Sequence, residues 1–140
     1  TLAIIEGMIV RVGQNRYTIP ISSIEEFFRP TFSMITKVSD QFEVVKLREE
    51  LLPVVRLHEL YHIEKSCDNL TEGILIVVRH NEQKYCLFVD ELLGKQQIVI
   101  KGLPTYIKSV RGISGCAILS DGDVSLILDT NSLLEISRDH

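Results

Sequence analysis

The chain has no tryptophan, and only two methionines, three cysteines and four prolines in 140 residues. Each shortage removes a class of protein. Cys67, Cys86 and Cys116 are odd in number and widely spaced, with no C-x-x-C pair. Buried reduced thiols are expected in preference to a disulfide or a catalytic thiol. No apolar run approaches the roughly 20 residues that a membrane-spanning helix needs. Lys and Arg number 15 against 19 Asp and Glu, so no global basic field draws nucleic acid or an anionic bilayer. Aromatics make up 6% of the chain and fall mostly at core-alternating positions. A nucleic-acid-binding small barrel would expose them among basic residues. The start, TLAIIEGMIV, lacks the basic leader and cleavage site of a secretory signal and has no initiating Met. A segment of a longer polypeptide is the expectation.

What the chain does have is apolar substance: 45% hydrophobic against 24% charged residues. That balance excludes disorder and suits one folding unit over 1–140, since two independent domains would each be marginal. Short apolar stretches recur throughout: MIVRV (8–12), YTIPI (17–21), FEVVKLR (42–48), LLPVVRL (51–57), GILIVVR (73–79), KYCLFV (84–89), QIVI (97–100), GCAIL (115–119) and VSLIL (124–128). Such a series predicts an all-β protein. Tyr85, Leu87 and Val89 alternate onto one face, as do Met8, Val10 and Val12. ILIVV is apolar on both faces and belongs between two packed layers. Turns are expected at 13–15, 49–50, 80–83 and 120–123, and Pro20 and Pro53 mark an edge or a bulge. Helices are few and short: Ser22 or Ser23 can cap SIEEFF, with Glu25 or Glu26 closing a capping box, and Thr130 or Asn131 can start NSLLEI.

Two internal similarities stand out. GMIVRVGQNRYTIPI (7–21) resembles GILIVVRHNEQKYCLFV (73–89), the second having two extra residues in its turn. EVVKLREELLPVVRLHEL parallels GCAILSDGDVSLILDTNSLL, each reading as strand, turn, strand, short helix. Two similar, highly curved β-units of about 70 residues, sharing a core, follow. The approximate division is 1–72 and 73–140, with a strand exchanged between them allowed.

HELYH (58–62) spells the H-E-x-x-H signature of zinc proteases, in which two imidazoles one helical turn apart hold a metal and the Glu activates its water. The surroundings do not support it. The helix has room for about two turns before the polar KSCDN, and no extended third-ligand pattern follows. RGISG lacks the lysine of a phosphate loop, GISG misses the nucleophile elbow by one position, and SDGD carries too few carboxylates for a calcium loop. No catalytic, metal or cofactor constellation is read from the chain.

EGMIVRVGQNRYTIPISSIEEFFRP, KLREELLPVVRLHELY and VRGISGCAILSDGDVSLILDTNSLL, taken together, resemble CheW-like domains. The last has the form typical of the regulatory domain of the chemotaxis histidine kinase CheA, and TLAIIEGMIVRVG resembles its junction with the ATP-binding domain. Two positions depart from the adaptor pattern: Glu49 stands where a glycine commonly follows the arginine, and Arg56 where adaptors often carry aspartate. The resemblance implies two small five-stranded SH3-like β-barrels sharing a core, with a few short helices. It implies a non-catalytic, cytoplasmic docking domain at receptor arrays, within a parent that is an ATP-dependent histidine kinase whose phosphoaccepting histidine lies in another domain. A free-standing CheW-type adaptor is the alternative. Implied partners are a CheW-type adaptor, the hairpin tip of a chemoreceptor and the rest of the kinase chain, with no nucleic acid and no membrane insertion. By position, Ile24, Glu26, Phe27 and Arg48 would face the receptor, and Leu51, Leu52, Arg111, Gly112 and Ile113 the adaptor, with Leu57 and Leu60 facing the core.

Overall fold

A computed structural model describes residues 3–40, 42–63, 69–101 and 111–138. Eleven strands carry the architecture: β1 (Ala3–Val12), β2 (Asn15–Pro20), β3 (Ile24–Phe28), β4 (Ile35–Ser39), β5 (Phe42–Leu47), β6 (Glu50–Arg56), β7 (Ile74–His80), β8 (Gln83–Val89), β9 (Glu91–Lys101), β10 (Ile113–Ile118) and β11 (Val124–Leu128). Two short helices, α1 (Leu57–Leu60) and α2 (Leu133–Arg138), follow β6 and β11. Each apolar stretch picked out in the sequence overlaps a strand, several running one residue past its end, as Leu57 does into α1.

Hydrogen bonding makes two bodies. One is a closed barrel in the order β1-β2-β11-β10-β9, and the other a six-stranded sheet in the order β3-β7-β8-β6-β5-β4. Their pairing schemes correspond. In the barrel, the β1–β2 hairpin receives β11 parallel to β2, β10 pairs with β11, and β9 pairs with both β10 and β1. In the sheet, the β7–β8 hairpin receives β6 parallel to β8, and β5 pairs with β6. The place of β9 is shared between β3 on β7 and β4 on β5. The sheet is therefore a five-stranded unit whose fifth strand is broken at 29–34, where Pro30 and a single 3-10 turn, Phe32–Met34, interrupt the ladder.

The boundary expected at residue 72 does not separate these bodies. Each half gives a whole hairpin to the other: β1–β2 pairs with β9–β11, and β7–β8 pairs with β3–β6. The exchange involves two strands each way where one was anticipated.

Alternation explains why the hairpins sit where they do. Met8, Val10, Val12, Tyr17 and Ile19 point between the bodies and meet Ile76, Val78, Tyr85, Leu87 and Val89. The opposite faces fill the interiors: Ile9 joins Ile98, Ala117 and Ile127 in the barrel, while Leu75, Val77, Cys86 and Phe88 join Val45 and Leu52 in the sheet. β7 and β8 are thus covered on both sides, as ILIVV requires. Thr18 faces the barrel interior, where its hydroxyl and that of Ser125 bond at 2.8 Å, avoiding the roughly 1–3 kcal/mol cost of an unpaired buried group.

SIEEFF is not a helix. Ile21–Ser23 makes one 3-10 turn without a side-chain cap, and Ile24–Phe28 is strand β3 on β7. The tertiary ladder overrides the local capping signal. The two extra residues of the 73–89 repeat lengthen the strands: both hairpins close in two-residue turns, Val12 pairing with Asn15 and His80 with Gln83. The expected turn at 49–50 lies at 48–49, since Leu47 pairs with Glu50. At the C-terminus, α2 begins at Leu133, and Asp129 caps the approach by accepting from the Asn131 N–H at 3.1 Å. Pro53 pairs with Val44, and the ladder to β8 starts only at Val54. KSCDN, including Cys67, lies outside the described residues save for Asn69.

Candidate docking surface

The six-stranded unit carries an arginine–glutamate pair at each end of β6. At the start, Arg48 donates from Nη1 and Nη2 to the two Glu26 oxygens at 3.1 and 3.0 Å, a bidentate fork. The pair is exposed, so it contributes little stability. At the far end, Arg56 donates to both Glu43 oxygens at 2.6 and 3.1 Å with its guanidinium 5.4 Å from the Phe88 ring centroid. Arg56 and Glu43 are largely buried. This second pair plugs the sheet's interior.

The backbone at Arg48 has φ 57. The corresponding first turn residues of the other two-residue hairpins are Gly13 (φ 62) and Asn81 (φ 57). Glycine and asparagine suit this region and arginine does not. The positive φ that Glu49 would have borne poorly falls instead on its neighbour.

Beside the fork, Phe27 is half exposed and Ile24 packs against the shared core. β3 is bulged between Ile24 and Glu26, which turns Glu25 outward to accept from Arg79 Nε at 3.0 Å, with Lys84 at 3.6 Å. Desolvation pushes the Glu25 carboxyl up, but Arg79 and Lys84 outweigh it and hold the pKa below its ordinary value. Lys84 also reaches Glu50 at 3.1 Å. Of the expected set, the structure brings Glu26 and Arg48 together, while Ile24 and Phe27 lie opposite Val78 and Ile76 on the other face of β3.

The second expected set is divided. Leu51 is exposed at 66%, whereas Leu52 and Ile113 are core residues at 3% and 8%, so burial removes those two side chains from any surface. Arg111 is exposed and Gly112 buried. Gly112 has φ 82, and a Cβ there would lie 2.4 Å from Tyr61 Oη and 2.8 Å from Leu133 Cδ2. Tyr61 donates to the Arg111 carbonyl at 3.0 Å. This glycine is a joint between the end of α1 and α2.

Two apolar surfaces emerge, of which the sequence reading names only Leu51. On the outside of the barrel, Ile4, Val99, Ile118 and Val124 are successive cross-strand neighbours over β1, β9, β10 and β11; Ile4 and Val124 are 65% and 63% exposed. On the outside of the sheet, Leu51 neighbours Lys46, Pro53 neighbours Val44, and Phe42 is exposed. The two patches occupy equivalent hairpins, β10–β11 and β5–β6. Their signal was present as outward apolar positions on strands whose inward positions are also apolar, a pattern equally consistent with burial on both faces.

HELYH forms no metal face. α1 ends at Leu60, and His62 lies beyond it with φ 54. His58 is buried edge-on to Phe88, their ring centroids 6.3 Å apart, while His62 is exposed. Leu57 and Leu60 face the core. Among the described residues, no group of three or more His, Cys, Asp or Glu could hold a metal ion, and no helix is long and apolar enough to cross a membrane. Cys86 and Cys116 are free thiols.

Fold and surface define an all-β double-unit domain with a charged rim at one end and an outward apolar patch on each unit. The chain belongs to the CheW-like domain family, which matches residues 6–138. Chemotaxis protein CheA of Treponema pallidum is 42% identical over 139 residues, covering 97% of this chain and 17% of the relative. Chemotaxis protein CheA of Salmonella typhimurium is 33% identical, covering 99% of this chain and 21% of the relative. The chain thus spans about a fifth of these curated relatives or less. The scaffolding protein TtCheW of Thermoanaerobacter tengcongensis has the same fold, with a TM-score of 0.79 at 20% identity, over 95% of this chain and 94% of that one.

Proposed function

We propose that this chain is the regulatory docking domain of a chemotaxis histidine kinase, binding a CheW-type adaptor and a chemoreceptor tip on the cytoplasmic side of receptor arrays. The reading rests on relatives named as CheA that match nearly the whole chain. The observation that carries it is the pair of outward apolar patches, one on each unit and on equivalent hairpins. Contiguous apolar surface rimmed by charge marks protein interaction sites. Placed on both units, it lets one molecule hold two neighbours, through Leu51 with Phe42 on one side and Ile118 with Val124 on the other.

Ile24 and Phe27 on one face of β3, and the Glu26–Arg48 fork on the other, make a separate contact surface for the receptor tip. The role of Arg111 and Gly112 is to set the joint behind the adaptor face. Regulation is then positional: a receptor changes kinase output only by binding two arrangements of the array unequally. The kinase chemistry belongs to the remainder of the parent chain.

Titrating the isotope-labelled chain with purified CheW tests this. Backbone signals should move in two separate groups, one around Leu51 and one around Ile118, and Leu51→Asp should erase only the first. An unchanged spectrum at saturating adaptor overturns the reading. A free-standing CheW-type adaptor is the second reading, favoured by the fold shared with TtCheW. The residues encoded ahead of Thr1 separate the two: an ATP-binding domain there supports the kinase, a start codon the adaptor.

A further inference from the structure

The outward apolar patch on β5–β6 borders a concavity, with Phe42 and Pro53 common to both. A cleft of about 450 Å³ opens where β5 and β6 meet α1 and α2, within the size range of side-chain and small-ligand sites. Its apolar walls come from Pro53, Val55, Leu60 and Leu134. Its charged groups are Asp40, Glu43, Glu59 and Arg56. Arg56 is committed to Glu43 through two hydrogen bonds, which neutralises both. Glu59 stands 4.0 Å from Arg56 and is 66% exposed at its side chain, and Asp40 makes no salt bridge to a described residue. Two carboxylates thus remain in excess over Arg56 around a cleft whose lining is part apolar and part polar, with His62 and Ser137 also on it.

We infer that this cleft takes an arginine or lysine side chain presented by a partner protein. The long aliphatic stem of such a residue suits the walls, and its charged head suits the mouth. A carboxylate would meet like charge at Asp40 and Glu59, and a purely apolar side chain would leave those groups partly desolvated without a counter-charge. The Arg56 guanidinium, forked on a carboxylate and lying near an aromatic ring, shows how this end of the sheet already accommodates one such group. Because Phe42 and Pro53 belong to both, the inference rests on the reading of the β5–β6 patch as a docking face and adds a charged anchor beside it.

The probe is the peptide acetyl-Ala-Leu-Arg-Leu-Ala-amide, compared with the same peptide carrying citrulline, the uncharged isostere of arginine. Each is titrated into the isotope-labelled 140-residue chain. The arginine peptide should shift the signals of Asp40, Val55, Glu59 and Leu60 in a saturable way and bind about tenfold more tightly than the citrulline peptide. In Asp40→Asn/Glu59→Gln, whose positions are exposed and outside any core, that preference should vanish while the spectrum stays folded. Equal affinities for the two peptides, shifts centred elsewhere, absence of saturation, or a preference that survives in the double variant would each overturn the inference.

Discussion

Arg48 sits in a left-handed conformation that disfavours a non-glycine residue, and the exposed fork to Glu26 offsets little of it. Asparagine occupies the matching turn position at 81 with the same φ. Arg48→Asn should therefore raise the urea midpoint of the chain; a lower midpoint would show that the fork outweighs the strain. Gly112 is the opposite case. Its φ of 82 and the contacts that await a Cβ set the cost of Gly112→Ala at about 2–4 kcal/mol, readable as a lower urea midpoint. Cys86 is pushed up to about 12, first by desolvation and then by Glu26. Its folded pKa is above the ordinary thiol value of 9.0, so the stabilising contribution of the neutral thiol is complete below pH 9 and is lost as pH rises through 12. Alkaline denaturation of Cys86→Ala should be less steep in that window than that of the parent chain, and at pH 8 a thiol reagent should modify Cys116 well before Cys86.

Among the elements, the hairpins were the most legible and β3 and β4 the least. Hairpins announce themselves locally, through alternation and turn residues, and the two strands of each lie close in sequence. β3 does not: Ile24–Phe28 carries serines ahead of glutamates, a local helix signal, and becomes a strand because β7, some fifty residues away in sequence, offers a ladder. The Glu43–Arg56 pair was equally hidden, since nothing in FEVVKLR or PVVRL indicates that two charged strand residues will meet inside. Its burial gives it different energetics from the Glu26–Arg48 fork. Arg56→Ala should cost about 3 kcal/mol by leaving Glu43 unpaired, while Arg48→Ala should move the urea midpoint far less. Replacing both members, Glu43→Leu with Arg56→Met, should recover most of the first loss. If the double variant is as unstable as Arg56→Ala alone, the uncompensated charge is not the cause.

For the whole molecule, periodicity foretold a shared core, and the alternation of Met8, Val10 and Val12 against Tyr85, Leu87 and Val89 became its two walls. The docking rim was legible only through family resemblance, because Glu26 and Arg48 lie far apart along the chain and nothing in their spacing brings them together. The cleft was not legible at all, being made by β4, β5, β6, α1 and α2 at once. The reciprocal gift of hairpins has one more consequence. The N-terminal hairpin finds its ladder partners in β9–β11, so neither it nor the barrel can close while a ribosome has yet to deliver the last strand. Nascent chains arrested after Val89 should remain protease-sensitive over residues 3–20, and those released after residue 140 should become resistant in a single concerted step.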